Sequence, residues 1–164
     1  MPKYLIVYYS RSGHTEEVAR VLAAKLGADV EAIRDNRPRK GVWRYLRSVF
    51  ESLSGRLPRV EPPQADLSAY DVVVLGCPVW ASRPATPMRA FLAANAQSLK
   101  AVACFVTLGG AGARKTLARL AHAAGRPAVA TLAVTESHLR SGKWQADGDR
   151  FVRKIVAAAE RLHA

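Results

Sequence analysis

The chain has 164 residues, 49% of them apolar, which suits one domain spanning 1–164 and excludes a disordered chain. Lys and Arg number 25 against 13 Asp and Glu, a net charge of +12. Such a surface favours anionic partners (an acidic protein, an anionic membrane surface, nucleic acid or a phosphorylated ligand) and excludes a chain that docks through negative charge.

The first element, "KYLIVYY" (3–9), is apolar and rich in β-formers, and reads as a strand buried on both faces. It begins at once, so no signal peptide is expected. From Gly13 the pattern turns helical: Val18, Val21, Leu22 and Leu26 share one stripe, and Gly27 stands where a helix C-cap belongs. "DVEAI" (29–33) is a short second strand, and "YDVVVLG" (70–76) is a third. "MRAFLAAN" (88–95) reads as a helix, "AVACFVTL" (101–108) as a fourth strand, and "RKTLARLAHAAG" (114–125) as a helix ended by Gly125. "AVATLAV" (128–134) is a fifth strand, and "DRFVRKIVAAAERLH" (149–163) a last amphipathic helix. No apolar run approaches the ~18 residues of a membrane span. Cys77 and Cys104 form neither a CxxC pair nor a zinc spacing, so a reducing cytoplasm is the expected setting and no metal is expected.

Short buried strands alternating with helices predict a parallel sheet covered on both faces. The expected architecture is a three-layer α/β/α sandwich with five strands in the doubly wound order 2-1-3-4-5. Ligands bind such sheets beyond the carboxyl ends of the strands, where the strand order reverses. Three loops then build the site: 10–15, 77–87 and 109–113.

One segment is extra. Residues 34–59 hold eight Lys or Arg and two acids, and Trp43, Leu46, Phe50, Leu53 and Leu57 recur at helical spacing. This predicts a basic helical insertion between the second and third strands. Arg37, Arg39, Lys40, Arg44 and Arg47 form its candidate docking face for an acidic partner, with membrane-surface contact as the alternative. No specific nucleic-acid motif accompanies the charge.

The loop "SRSGHT" joins a strand to a helix whose first N–H groups have no internal partner and carry the positive end of the helix dipole. Ser10, Ser12 and Thr15 supply hydroxyl donors, and Gly13 lets the backbone turn sharply. No GK[ST] ending and no G-x-G-x-x-G is present, so a terminal monophosphate fits better than a triphosphate or a pyrophosphate. Trp80, at the end of the third strand, is placed to face a flat ring, and "GGAG" exposes backbone N–H groups.

"SRSGHTEEVA" resembles the phosphate loop of the flavodoxin family, whose usual form is S/T-x-S/T-G-x-T after the first strand. "DVVVLGCPVWASRPATPMRAFL" and "FVTLGGAGARKTL" resemble that family's third and fourth strands with their flavin loops. The resemblance covers nearly all the chain except 34–59. It implies non-covalent FMN and electron transfer as a flavodoxin-like carrier, or alternatively an NAD(P)H-dependent quinone or flavin reductase. By position, Ser10, Arg11, Ser12, Gly13, His14 and Thr15 would hold the phosphate; Pro78, Val79, Trp80 and Ala81 would line one side of the ring; Leu108, Gly109, Gly110 and Gly112 the other. It implies no catalytic residue outside the cofactor.

Two features depart from the family. The family's common members are acidic, whereas this chain is basic. The 77–87 loop has no glycine, where the family's glycine beside the flavin N5 lets a peptide flip and favours one-electron behaviour; its absence leaves room for two-electron reductase chemistry. A non-enzymatic module that binds an acidic partner or a membrane is a further reading of the charge. Cys77 to Arg83 also forms the C-x5-R string of cysteine phosphatases, but Pro78 removes an amide donor there and Pro84 blocks a helix start, so that reading is set aside.

Overall fold

The computed structural model describes residues 1–35 and 57–164. Among the described residues, the strands and α-helices follow one another as β1 (Tyr4–Tyr8), α1 (His14–Leu26), β2 (Asp29–Ala32), β3 (Val72–Trp80), β4 (Arg83–Pro84), α2 (Thr86–Asn95), β5 (Ala101–Leu108), α3 (Ala113–Ala124), β6 (Ala128–Thr135), α4 (Glu136–Ser141) and α5 (Gln145–Leu162). The sheet runs β2-β1-β3-β5-β6, and β4 pairs with β3 alone. The five long strands pair in parallel and β4 is antiparallel. Apart from that two-residue addition, this is the order read from the strand–helix alternation.

Side chains on a strand alternate between faces, so each buried strand feeds two cores. Leu5 and Val7 of β1 point with Val73 and Leu75 of β3 toward Met88, Phe91 and Leu92 of α2 and Leu120 of α3. Ile6 and Tyr8 point the other way with Val72, Val74 and Phe105, onto Val18 and Leu22 of α1 and Phe151 and Ile155 of α5. Both faces of β1, β3 and β5 are thereby covered, which is why their sequences read as unbroken apolar runs. β6 differs: Ala130, Leu132 and Val134 are buried while Thr131 and Ala133 are exposed, so this edge strand is only half-buried.

The element ends depart from the expected ones where turns decide them. β3 continues four residues past the expected boundary, through Pro78, before turning back at a hairpin. Pro78 is tolerated because its carbonyl, not its nitrogen, meets Ala85 N–H at 3.2 Å. The helix expected from 88 starts at Thr86, with Pro87 in the first turn where no N–H is missed. α4 was not anticipated; it is short and capped by Thr135, whose Oγ1 accepts the His138 N–H at 3.2 Å. α5 begins at Gln145, earlier than expected.

Of the basic insertion expected over 34–59, Trp43, Leu46, Phe50, Leu53, Arg37, Arg39, Lys40, Arg44 and Arg47 lie outside the described residues. Where the chain re-enters, Val60 bridges Asp35 in antiparallel fashion and Glu61 N–H donates to Arg34 O at 3.0 Å.

Candidate functional site

The carboxyl ends of β1, β3, β5 and β6 meet around a cavity of about 220 Å³, lined by Arg11, Ser12, His14, Thr15, Pro78, Val79, Trp80, Ala81, Thr107, Leu108, Gly109 and Glu136. Ten of these are sequence-predicted site residues. Each of the three expected loops contributes, and the connection after β6 adds a fourth side.

The β1–α1 loop is shaped by its own hydroxyls. Ser10 Oγ accepts the Gly13 N–H at 3.1 Å, and Gly13 takes φ 98° as the residue before the helix. That left-handed turn starts α1 at the cavity edge, where His14 and Thr15 line it; the first N–H groups of a helix have no carbonyl partner inside it. Thr15 is 2% exposed, and its Oγ1 pairs with Thr107 Oγ1 at 2.8 Å, tying the helix start to the end of β5. Ser10 and Gly13 thus order the loop from behind without lining the cavity, whereas Arg11, Ser12 and His14 face it.

The β3 end supplies the apolar side. Trp80 is 7% exposed and meets Tyr9 edge-on, ring centroids 5.6 Å apart at 88°. That arrangement suits the ring quadrupoles and fixes the indole as it borders the cavity beside Pro78 and Val79. Trp80 pairs with Arg83, so Ala81 and Ser82 are a two-residue hairpin tip, with φ 51° and 58°. Tips of this kind require positive φ at both positions and usually carry Asn-Gly. A side chain there costs roughly 1–2 kcal/mol per residue. The loop expected to lack a glycine thus takes a glycine-like backbone all the same.

Cys77 is not a nucleophile. It sits inside β3 opposite Val106, and burial pushes its thiol up to about 12. Cys104 is likewise raised to about 12, first by burial and then by Cys77. A thiol that stays protonated at neutral pH removes the phosphatase reading.

Gly109 lines the cavity, but Gly110 and Gly112 do not. Gly112 precedes α3 with φ 98° and lies against the hairpin tip: a Cβ there would meet Ser82 Oγ at 2.8 Å and Ser82 Cα at 3.1 Å. Two lining residues escaped the sequence reading. Thr107 was absorbed into an apolar strand, although a lone hydroxyl at a strand's carboxyl end was its signal. Glu136 follows the fifth strand, whose carboxyl end was not counted among the site loops. Its Oε1 stands 3.7 Å from His14 Nδ1 across the cavity mouth. Outside the cavity, burial depresses the Arg89 guanidinium, and the neighbouring charges of Arg83 and Arg119 add to the effect. Positive charge is therefore concentrated behind the hairpin.

The donor set suits a phosphorylated flat ring. One end offers a guanidinium, hydroxyls and helix N–H groups; the other offers Pro78, Val79, Trp80 and Leu108. Among known proteins, the chain is similar to a flavoprotein of Lactobacillus acidophilus NCFM solved in complex with FMN, at 22% identity and TM-score 0.69, over 88% of this chain and 99% of that one. It is similar to a flavodoxin, WrbA-like protein from Agrobacterium tumefaciens, at 18% identity and TM-score 0.59, over 98% of this chain and 99% of that one. A NAD(P)H dehydrogenase (quinone) of Gluconacetobacter diazotrophicus is 33% identical over 96 residues, 56% of this chain; the match spans less than half of that protein, 45% of its length. Residues 3–141 match a family model described as flavodoxin. With that match running through every strand of a sheet ordered as the sequence predicted, the chain belongs to the flavodoxin family.

Proposed function

We propose that the protein binds one FMN in this cavity and transfers electrons through it. The observation that carries the reading is the joining of a phosphate-type donor set and an aromatic, apolar wall in one cavity at the carboxyl edge of the sheet. When bound, FMN supplies one- or two-electron redox chemistry; the protein binds, orients and tunes it. Arg11, Ser12, Thr15 and the first amides of α1 hold the phosphate. Trp80, fixed by Tyr9, orients the ring, and Pro78, Val79 and Leu108 keep water from it. Gly109 leaves backbone groups open to the ring's polar edge. Ser10, Gly13 and Gly112 act on the shape of the loops, and Gly110 lies beyond them.

The visible spectrum of the purified protein, before and after adding FMN, tests this. A flavin absorbance band and quenched FMN fluorescence at micromolar protein are expected; colourless protein that leaves FMN fluorescence unchanged overturns it.

The partner is an anionic redox protein. The net charge of +12 supports this, as does the grouping of Arg83, Arg89 and Arg119 beside the hairpin. A second reading, an NAD(P)H-dependent quinone reductase, is favoured by the partial likeness to such an enzyme. NAD(P)H oxidation with a quinone acceptor separates the two: a carrier shows no sustained turnover. Both reduced thiols are buried, which favours a cytoplasmic setting, and the fold acts as one domain. Among the described residues, no helix is long and apolar enough to cross a membrane.

A further inference from the structure

The hairpin tip bordering the cavity is strained and weakly supported by its own strands. Ala81 and Ser82 both have positive φ, and β4 is only two residues long. One of those two is Pro84, which has no N–H to give to the ladder. A short hairpin with the wrong tip residues does not hold one conformation unaided.

The support comes from α3. Arg119 Nη1 donates to Ser82 O at 2.7 Å, and Gly112 receives the other side of Ser82 at a distance that leaves no room for a Cβ. Gly112 immediately precedes α3 and Arg119 lies two turns into it, so the tip docks against the N-terminal half of that helix. The bond to the Ser82 carbonyl fixes the Arg119 guanidinium beside the tip. Arg119 does not line the cavity; Trp80 and Ala81, on the other side of the tip, do.

We infer that Arg119 is a positioning residue for the flavin site: by gripping the Ser82 carbonyl against Gly112 it holds the strained Ala81–Ser82 tip in the one conformation that presents Trp80 and Ala81 to the cofactor. The inference rests on the reading of the cavity as an FMN site. Without the guanidinium, the tip relaxes toward negative φ and the cavity wall moves. A tip that prefers positive φ by its own chemistry needs no grip.

The experiment compares four apo-proteins by FMN fluorescence titration, urea unfolding and the midpoint potential of the bound flavin: the natural chain, Arg119→Ala, Arg119→Lys, and Arg119→Ala carrying Ser82→Gly. Arg119→Ala is expected to weaken FMN about tenfold, equivalent to ~1.4 kcal/mol, and to move the midpoint potential, with the urea midpoint nearly unchanged. Arg119→Lys recovers part of the affinity. Ser82→Gly, which removes the cost of positive φ at a residue that does not line the cavity, restores affinity and potential toward those of the natural chain in the Arg119→Ala background. Unchanged affinity in Arg119→Ala overturns the inference, as does failure of Ser82→Gly to restore any of it, which would assign Arg119 a direct electrostatic effect on the cofactor. Failure of the natural chain to bind FMN is a separate outcome and removes the FMN reading together with this one.

Discussion

Thr15 and Thr107, both almost wholly buried at the edge of the cavity, share a hydrogen bond between their hydroxyls. Thr15→Val leaves the Thr107 hydroxyl unpaired and should cost roughly 1–3 kcal/mol in urea unfolding, since the desolvation penalty is not offset. The same change loosens the start of α1 and should weaken FMN in fluorescence titration. Cys77 stands at the opposite extreme of reactivity. With its thiol raised to about 12 and fully buried, iodoacetamide at neutral pH should label it only at the rate of global unfolding, and Cys77→Ser should leave FMN affinity intact. Rapid labelling of the folded protein would contradict its burial.

The strands and helices are held together by packing that admits few substitutions. Phe105 of β5 lies across Gly76 of β3 so closely that a Cβ there would sit 2.0 Å from its ring. Gly76→Ala must displace a core ring between the two central strands, and overpacking of that kind costs ~1–3 kcal/mol, read as a lowered urea midpoint. Asp71, at the start of β3, accepts the Lys3 N–H at 2.7 Å and stands 2.9 Å from His163 Nε2 just beyond α5, so it ties three parts of the chain. The Lys3 bond first, and then His163, hold its carboxyl below the ordinary value of 3.8. A depressed folded pKa means that the unfolded chain binds more protons, so stability falls as pH falls. The contribution is complete above the ordinary value and is lost as pH drops through the depressed one. Urea midpoints followed through acid should therefore decline less steeply in Asp71→Asn than in the natural chain.

The protein's charge acts at long range, and its test is kinetic. A chain of net charge +12 attracts anionic electron acceptors, and salt screens that attraction over ~8 Å at physiological ionic strength. With the FMN-loaded, reduced protein, oxidation by ferricyanide should slow as ionic strength rises, whereas oxidation by a neutral quinone should change little. Equal salt dependence for the two would mean that the net charge does not reach the flavin edge.

The parallel sheet and its strand order were legible in the residues because a strand covered on both faces must be apolar at every position, and β1, β3 and β5 are. The β1–α1 loop was legible as one side of the cavity because its hydroxyls and Gly13 lie close together in the chain and shape the turn locally. Thr107 and Glu136 were not, since their roles come from what they face: Thr15 and His14, neighbours in the first turn of α1. Nor does a glycine-free loop announce that it will turn with positive φ. Local preference opposes that backbone at Ala81 and Ser82, and the contacts it receives, from Gly112 and from Arg119, 37 residues beyond Ser82, come from far along the chain. Chemistry carried by neighbours in sequence can be read from the chain, while strain and cross-strand pairing exist only once distant segments have packed.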